Sequence, residues 1–244
     1  MKSTHKAAWM MVAAAALVAP LFVSGDAEAC GGEMFRESIQ RSPKPLPPAL
    51  VAKAEKSLDE GKGDAALVSA LQAYPTLAKA NPGKDAMMNR ALRLAAMATI
   101  RSGGEQSVMG AKAPVSYIDY DYGREVNVPA KLVAPKTQEE RAARLEWAIK
   151  TLRALHEQNP TNVTVEGDLG EALATVPEHE EEALTKLSAL ADKDLLGSPQ
   201  AYSALAKLRF RAGLTKKSVE ALQRCNAMSA KPGACGPQLP TNPA

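Results

Sequence analysis

Apolar residues recur at helical spacing through most of the chain. In eight successive segments between residues 48 and 228 they return every three or four positions, as on one face of an amphipathic helix. Glycine and proline clusters separate these segments. The chain is 45% hydrophobic but only 4% aromatic, and alanine supplies much of the apolar share. The sequence therefore predicts an all-α fold of closely packed helices rather than an aromatic-rich β-sandwich.

The eight predicted helices group into four antiparallel pairs. Short glycine turns such as Gly61–Gly63 join the two helices of a pair. Pro75 falls inside the second apolar segment, so we expect it to kink that helix before the helix ends near Pro82. Repeating helix pairs of this kind are typical of helical-repeat proteins.

The fourth helix has the clearest start signal. Thr137 and Glu140 stand three residues apart just before an apolar stripe, which is the pattern of a capping box. Glu140 with Arg144 and Glu146 with Lys150 are spaced for ion pairs on its exposed face. We therefore expect a long helix with both pairs on its solvent side.

Two segments share a spacing of small, large and large residues followed by proline. The residues are Ala70, Tyr74, Leu77 and Pro82, and then Ala148, Leu152, Leu155 and Pro160. This spacing resembles the second helix of a tetratricopeptide (TPR) repeat, and Leu169–Gly170 resembles the Leu-Gly pair of its first helix. The resemblance covers about residues 48–228. It implies a TPR-like α-solenoid whose concave face binds a peptide or protein, without catalytic residues. An unrelated helical bundle would show the same apolar spacing.

The N-terminus has the pattern of a secretory signal peptide. Lys2 and Lys6 precede an uncharged run over residues 7–23, and Ala27-Glu28-Ala29 supplies small residues around a cleavage point. We expect residues 1–29 to be removed from an exported bacterial protein that is periplasmic or secreted. After this cleavage the sequence predicts no transmembrane segment.

Cleavage after residue 29 would make Cys30 the first mature residue and raises the question of a lipid anchor. The position three before it is Ala27 rather than the usual leucine, and Cys30 lies seven residues beyond Val23. A lipid anchor at Cys30 is therefore possible but not favoured. Residues 30–47 form a Pro/Gly-rich leader.

Export makes the three cysteines candidates for a disulfide. Cys225 and Cys235 lie near each other around a Pro/Gly turn, so a bond between them would close the start of the Pro/Gly-rich tail, residues 229–244. The alternative is that Cys225 is a buried thiol and that Cys30 pairs with Cys235 or stays free.

An insertion over residues 103–136 interrupts the helical pattern. It carries three of the five tyrosines, and its partial alternation predicts a short β-hairpin or an irregular ordered loop. Clustered tyrosines give large contact areas at low entropic cost. We therefore expect the partner-binding residues to be Tyr117, Tyr120, Tyr122 and Arg124. The alternative is that the insertion covers the edge of a helix pair.

Metal and enzyme signatures are incomplete. Asp119 and Asp121 suggest a calcium loop, but the glycine and glutamate spacing of an EF-hand is missing. His179 begins a zinc-protease pattern whose second histidine is replaced by Ala183. The sequence therefore predicts no catalytic residues, no metal site and no cofactor. The net charge of +3 is thinly spread over the chain and argues against a dedicated nucleic-acid binder.

These observations predict an exported, non-enzymatic scaffold or adaptor that binds a protein or peptide in the cell envelope. The alternative is a structural or assembly component of an envelope or surface complex. If the insertion is not the binding site, the groove formed by the first helices of the pairs is the next choice, with Met88, Arg90 and Arg209 as candidates.

Overall fold

The computed structural model describes residues 46–119, 124–229 and 235. Within these residues the fold consists of eight α-helices and one two-stranded antiparallel sheet, all in one compact unit. The predicted signal peptide, Cys30 and nearly all of the leader lie outside the described residues. The prediction of a mainly helical fold is confirmed.

The elements follow one another in chain order. The helices are α1 (Pro47–Asp59), α2 (Gly63–Ala73), α3 (Ala86–Arg101), α4 (Gln138–Gln158), α5 (Val163–Leu173), α6 (Glu180–Ala191), α7 (Pro199–Arg211) and α8 (Thr215–Met228). Strands β1 (Val115–Asp119) and β2 (Arg124–Val128) lie between α3 and α4, and therefore inside the predicted insertion.

Neighbouring helices pack as four pairs. Helix α1 packs on α2, α3 on α4, α5 on α6, and α7 on α8. The odd-numbered helices also contact each other in sequence, from α1 to α3 to α5 to α7. The second helix of each pair also packs on the first helix of the next, α2 on α3, α4 on α5 and α6 on α7. Both helices of a pair therefore contact the first helix of the following pair.

Local sequence signals explain several helix starts. The side chains of Asp85, Thr137, Asn162 and Ser198 accept hydrogen bonds from the first free backbone N–H groups of α3, α4, α5 and α7. At α4 the Thr137 hydroxyl accepts from the Glu140 N–H, and the Glu140 carboxylate accepts from the Lys136 N–H. The predicted helix start at Thr137 is therefore confirmed.

The prediction of a kink at Pro75 is wrong. Helix α2 ends at Ala73, and a separate 3₁₀ turn, Leu77–Lys79, follows. Proline lacks a backbone N–H and disfavours a helical residue before it, so it ends this helix rather than bending it. Tyr74 and Leu77 therefore do not share a helix, although both belong to the first TPR-like string. In the second string, Ala148, Leu152 and Leu155 all lie on α4.

Large aliphatic side chains from successive helices fill the core. Leu152, Leu169, Leu187 and Leu205 are all essentially inaccessible to solvent. Helices α5 and α6 approach closely at Gly170, where a Cβ atom would lie only 2.8 Å from the Cγ atom of Leu187. The glycine at this position therefore allows the two helices to come together.

The C-terminal cysteines are paired. The sulfur atoms of Cys225 and Cys235 lie 2.03 Å apart, and both residues are buried. The Ser203 hydroxyl donates a hydrogen bond of 3.1 Å to the Cys235 carbonyl oxygen. The bond joins α8 to the chain beyond it, so Cys225 is not a free thiol and Cys235 does not pair with Cys30.

Replacing Cys225 and Cys235 together with serine should lower the free energy of unfolding by about 2–3 kcal/mol, because a ten-residue cross-link restricts the unfolded chain. Urea denaturation of the full chain without reductant measures this difference. Cys30→Ser is the control, since it replaces a cysteine but keeps the bond. Equal stability of the double variant and the control would contradict the prediction.

Candidate functional site

The insertion forms an exposed β-hairpin. In its antiparallel register Val115 lies opposite Val128, and Tyr117 lies opposite Val126. Side chains alternate between the two faces of a strand, so these four residues share one face. Val115, Tyr117 and Val128 are 54%, 50% and 45% exposed. We call this surface the hairpin face.

Only some of the predicted binding residues belong to the described structure. Tyr117 lies on the hairpin face. Arg124 is the first residue of β2, opposite Asp119 in the register. Tyr120 and Tyr122 lie outside the described residues, so the clustering of the three tyrosines stays a prediction.

Arg144 holds the base of the insertion against α4. Its guanidinium group donates to the carbonyl oxygens of Gly104, Glu105 and Val133 at 3.4, 3.1 and 2.8 Å. These acceptors come from both ends of the insertion. Arg144 is only 6% exposed, so the predicted surface ion pair with Glu140 is wrong. The predicted pair between Glu146 and Lys150 does form, at 3.6 Å.

The base and the strands of the insertion thus differ in environment. Val108 and Ala130 belong to the hydrophobic core. The strands contact each other, and no helix in the described ranges packs extensively on them. The base therefore covers the helix pairs, while the hairpin face is open to solvent.

A second surface runs along the odd-numbered helices. Two cavities of about 550 and 630 Å³ open on it, and α1, α3, α5 and α7 all contribute lining residues. Both cavities include Leu58, Arg101 and Gln200. We call this surface the odd-helix face, and the smaller of its two cavities the first cavity.

Ion pairs connect α3 to α5 on the odd-helix face. Arg93 Nε lies 2.5 Å from Asp168 Oδ2. Arg101 makes two hydrogen bonds with the Glu171 carboxylate, at 2.9 and 3.2 Å. The Ser198 hydroxyl at the start of α7 also donates to Glu171, at 3.3 Å. These contacts tie three odd-numbered helices together where the two cavities meet.

The pKa values of Arg101 and Asp168 reflect burial and pairing. Burial alone would lower the pKa of Arg101, but the charge and hydrogen bonds of Glu171, with the charges of Asp168 and Asp59, raise it. Burial raises the pKa of Asp168, and Arg93 only partly offsets that effect. The guanidinium of Arg101 is therefore a fixed positive charge engaged within the protein.

Other polar groups of the first cavity are free to bind a ligand. Among the described residues, the side chains of Gln200 and Lys207 have no hydrogen-bond or ion-pair partner, and both line the cavity. Ala174 and Ala204 also line it, and their small side chains leave room for an occupant. The surface therefore combines free donors with shallow apolar positions, which suits an extended chain.

The three residues that the sequence suggested for this groove do not line its cavities. Met88 is half-buried against the core, and Arg90 pairs with Glu55 on α1. Arg209 is buried and donates to the Lys217 carbonyl oxygen at 3.2 Å. All three lie outside the lining of the two cavities described above.

Sequence reasoning missed the residues that do line the odd-helix face. Arg93 and Arg101 are eight residues apart, about two helical turns, and Asp168 and Glu171 are three apart. Opposite charges at such spacing on alternate helices were the available signal. These charges could not be paired from the sequence, because the sequence does not show that the odd-numbered helices are neighbours.

No family model matches the chain, and neither a curated protein nor a solved structure resembles it significantly. None of the helices in the described ranges combines the length and apolar character needed to cross a membrane. In the same ranges, no three His, Cys, Asp or Glu side chains are grouped as a metal ion would require.

Proposed function

We propose that this protein is an exported, non-enzymatic scaffold that binds an extended segment of a partner protein in the bacterial cell envelope. The observation that carries the proposal is the odd-helix face, to which all four helix pairs contribute through their first helices. Free donors beside small apolar residues suit the binding of a peptide backbone. The location is the periplasm or the extracellular space.

The order of packing supports a TPR-like architecture. In a stack of helical hairpins, each repeat buries its apolar surface against the next, and the first helices line one side. The contacts of α1 with α3, α3 with α5, and α5 with α7 are those expected of such a stack. The close packing of Gly170 on Leu187 agrees with the small residue that the resemblance places there.

The hairpin face is the second contact surface in this proposal. Its exposed valines and Tyr117 lie on a hairpin that is held at its base by Arg144. Tyrosine side chains contribute strongly to protein interfaces when they become buried. We therefore assign partner binding to the odd-helix face and to the hairpin face together.

Replacing Lys207 with glutamate should weaken partner capture at least about tenfold, because the new carboxylate repels the carbonyl groups of a bound segment. Crosslinking in intact envelopes, followed by purification of the protein, measures capture. Intact mass of the same sample reports cleavage after residue 29. Lys216→Glu on α8 is the control, with the same charge change on an exposed residue. Equal capture by both variants would remove the odd-helix face from the proposal.

Replacing Tyr117, Tyr120 and Tyr122 with serine should also weaken capture, while the melting temperature stays nearly unchanged. Calorimetry and the same crosslinking assay give the two readings. If the variant unfolds, the hairpin is a structural cover. If the variant binds normally, the odd-helix face alone is the binding site. Fractionation with insoluble envelope material would favour a structural component instead.

A further inference from the structure

Cys235 contacts a residue that lines the first cavity. Its disulfide bond with Cys225 fixes it to α8, and the Ser203 hydroxyl holds its carbonyl group on α7. Ser203 is itself one of the residues that line the cavity. The residues after Cys235 therefore start beside the odd-helix face.

The sequence of this following segment has a regular pattern. Residues 236–244 read GPQLPTNPA, so proline occurs at every third position, at 237, 240 and 243. A polyproline II helix has three residues per turn and no internal hydrogen bonds. In that conformation the three prolines share one edge, and Leu239 and Asn242 share another. The pattern favours an extended ligand with exposed carbonyl groups.

The segment is long enough to cross the odd-helix face. Nine residues of polyproline II helix span about 28 Å at about 3.1 Å per residue. Three steps between packed helices, from α7 to α1, span about 24–30 Å at about 8–10 Å per step. The segment can therefore reach across all four odd-numbered helices from its attachment at Cys235.

The segment and the odd-helix face are also chemically complementary. The carbonyl groups of a polyproline II helix need external donors, and Gln200 and Lys207 have free ones. Ala174 and Ala204 in the first cavity leave room for proline rings. The segment carries no charged side chain, so it can bind without breaking the pair between Arg101 and Glu171.

We infer that residues 236–244 bind to the odd-helix face as a polyproline II ligand, and that partners of this face carry uncharged, proline-rich segments. The inference rests on the function proposed above, because it names the ligand class of the same surface. The tail and a partner then compete for one site. The disulfide keeps the tail next to that site.

The tether determines how strongly the tail competes. A short connection holds a segment at an effective concentration of about 1 mM, so a tail that binds in trans with a Kd of about 100 µM occupies its site about ten times out of eleven. A free ligand for the same face then binds about tenfold more weakly to the full chain than to a chain without the tail.

The test uses a synthetic peptide of residues 236–244 as the probe. It is titrated into the full chain and into a chain that ends at Cys235, and binding is followed by the NMR shifts of the Gln200 side-chain amide. We expect saturable binding to the shortened chain and at least about tenfold weaker binding to the full chain. A peptide of the same composition with adjacent prolines is the matched control and should bind at least about tenfold more weakly.

Two further variants separate the inference from the proposed function. Full-length P237A/P240A/P243A keeps the length of the tail and should bind the peptide as tightly as the shortened chain does. Equal peptide affinity for full and shortened chains, or equal binding of both peptides, would overturn the inference. Partner capture that still depends on Lys207 would then leave the proposed function standing, whereas loss of that dependence would remove both. Melting curves show that each variant is folded.

Discussion

Replacing Arg144 with methionine is expected to destabilise the protein by about 3 kcal/mol. The guanidinium of Arg144 satisfies three carbonyl groups from both ends of the insertion, and methionine provides no donor for them. A buried acceptor left without a partner costs about 1–3 kcal/mol, and hydrogen bonds from a charged donor lie at the upper end of the usual range. Urea denaturation measures the change.

Arg153→Met is the matched control for this prediction. Arg153 lies on the same helix and makes an ion pair with Glu182 at 2.8 Å, and the two side chains are 38% and 40% exposed. Exposed pairs contribute about 0–1 kcal/mol, so this variant should remain close to the parent. Hydrogen exchange should become faster across 105–133 in Arg144→Met only. Similar losses in both variants would show that Arg144 does not hold the insertion.

Leu187→Ala should lower the free energy of unfolding by about 2–5 kcal/mol. The leucine is fully buried on α6, where it fills the space above Gly170 on α5. Shortening it removes buried apolar surface and leaves a cavity, and both effects destabilise the folded state. Leu152→Ala on α4 should cost a similar amount for the same reason. Calorimetry or denaturant titration gives both values.

The contact between Gly170 and Leu187 can be tested with a double-mutant cycle. Gly170→Ala alone should cost about 1–3 kcal/mol, because its Cβ atom would lie 2.8 Å from the leucine Cγ atom. In the Leu187→Ala background the same change should cost little, since the opposing atoms are gone. Additive losses would contradict the close contact.

Gly167→Ala is the control for this cycle. At Gly167 the nearest atoms to an added Cβ lie 3.7 and 3.8 Å away, on Leu196 and Leu190, which is ordinary contact. The substitution should therefore be neutral or slightly stabilising, because alanine favours helix more than glycine does. A large loss here would show that the helix tolerates no side chain at either position.

The helices could be predicted from sequence because their signals are local. The apolar stripe that includes Leu152 and the cap at Thr137 each involve residues within a few turns of one another, and both predictions hold. The Cys225–Cys235 pair is also close in sequence and next to a flexible turn. Pro75 shows the limit of such local inference. A proline can either end a helix or kink it, and the local sequence does not decide between the two.

The candidate site could not be predicted in the same way, because it depends on contacts between residues that are distant in the sequence. Glu140 lies four residues before Arg144 and would be a suitable ion-pair partner. Arg144 instead donates to backbone carbonyl oxygens, which the path of the insertion brings close to it. For a buried guanidinium, several desolvated acceptors outweigh one exposed ion pair. The spacing of charged residues in the sequence shows which partners are within reach, but it does not show which partner a side chain binds.

The sequence by itself determined the helical character of the chain, the position of the insertion and the proximity of Cys225 to Cys235, because short-range periodicity, capping and turn chemistry decide these features. Only the tertiary structure decided that Arg93 meets Asp168 and that Arg101 meets Glu171, about 70 residues away. Such pairs form when α3 and α5 pack side by side. That packing is selected by the shape and burial of whole helix faces, which no local pattern specifies.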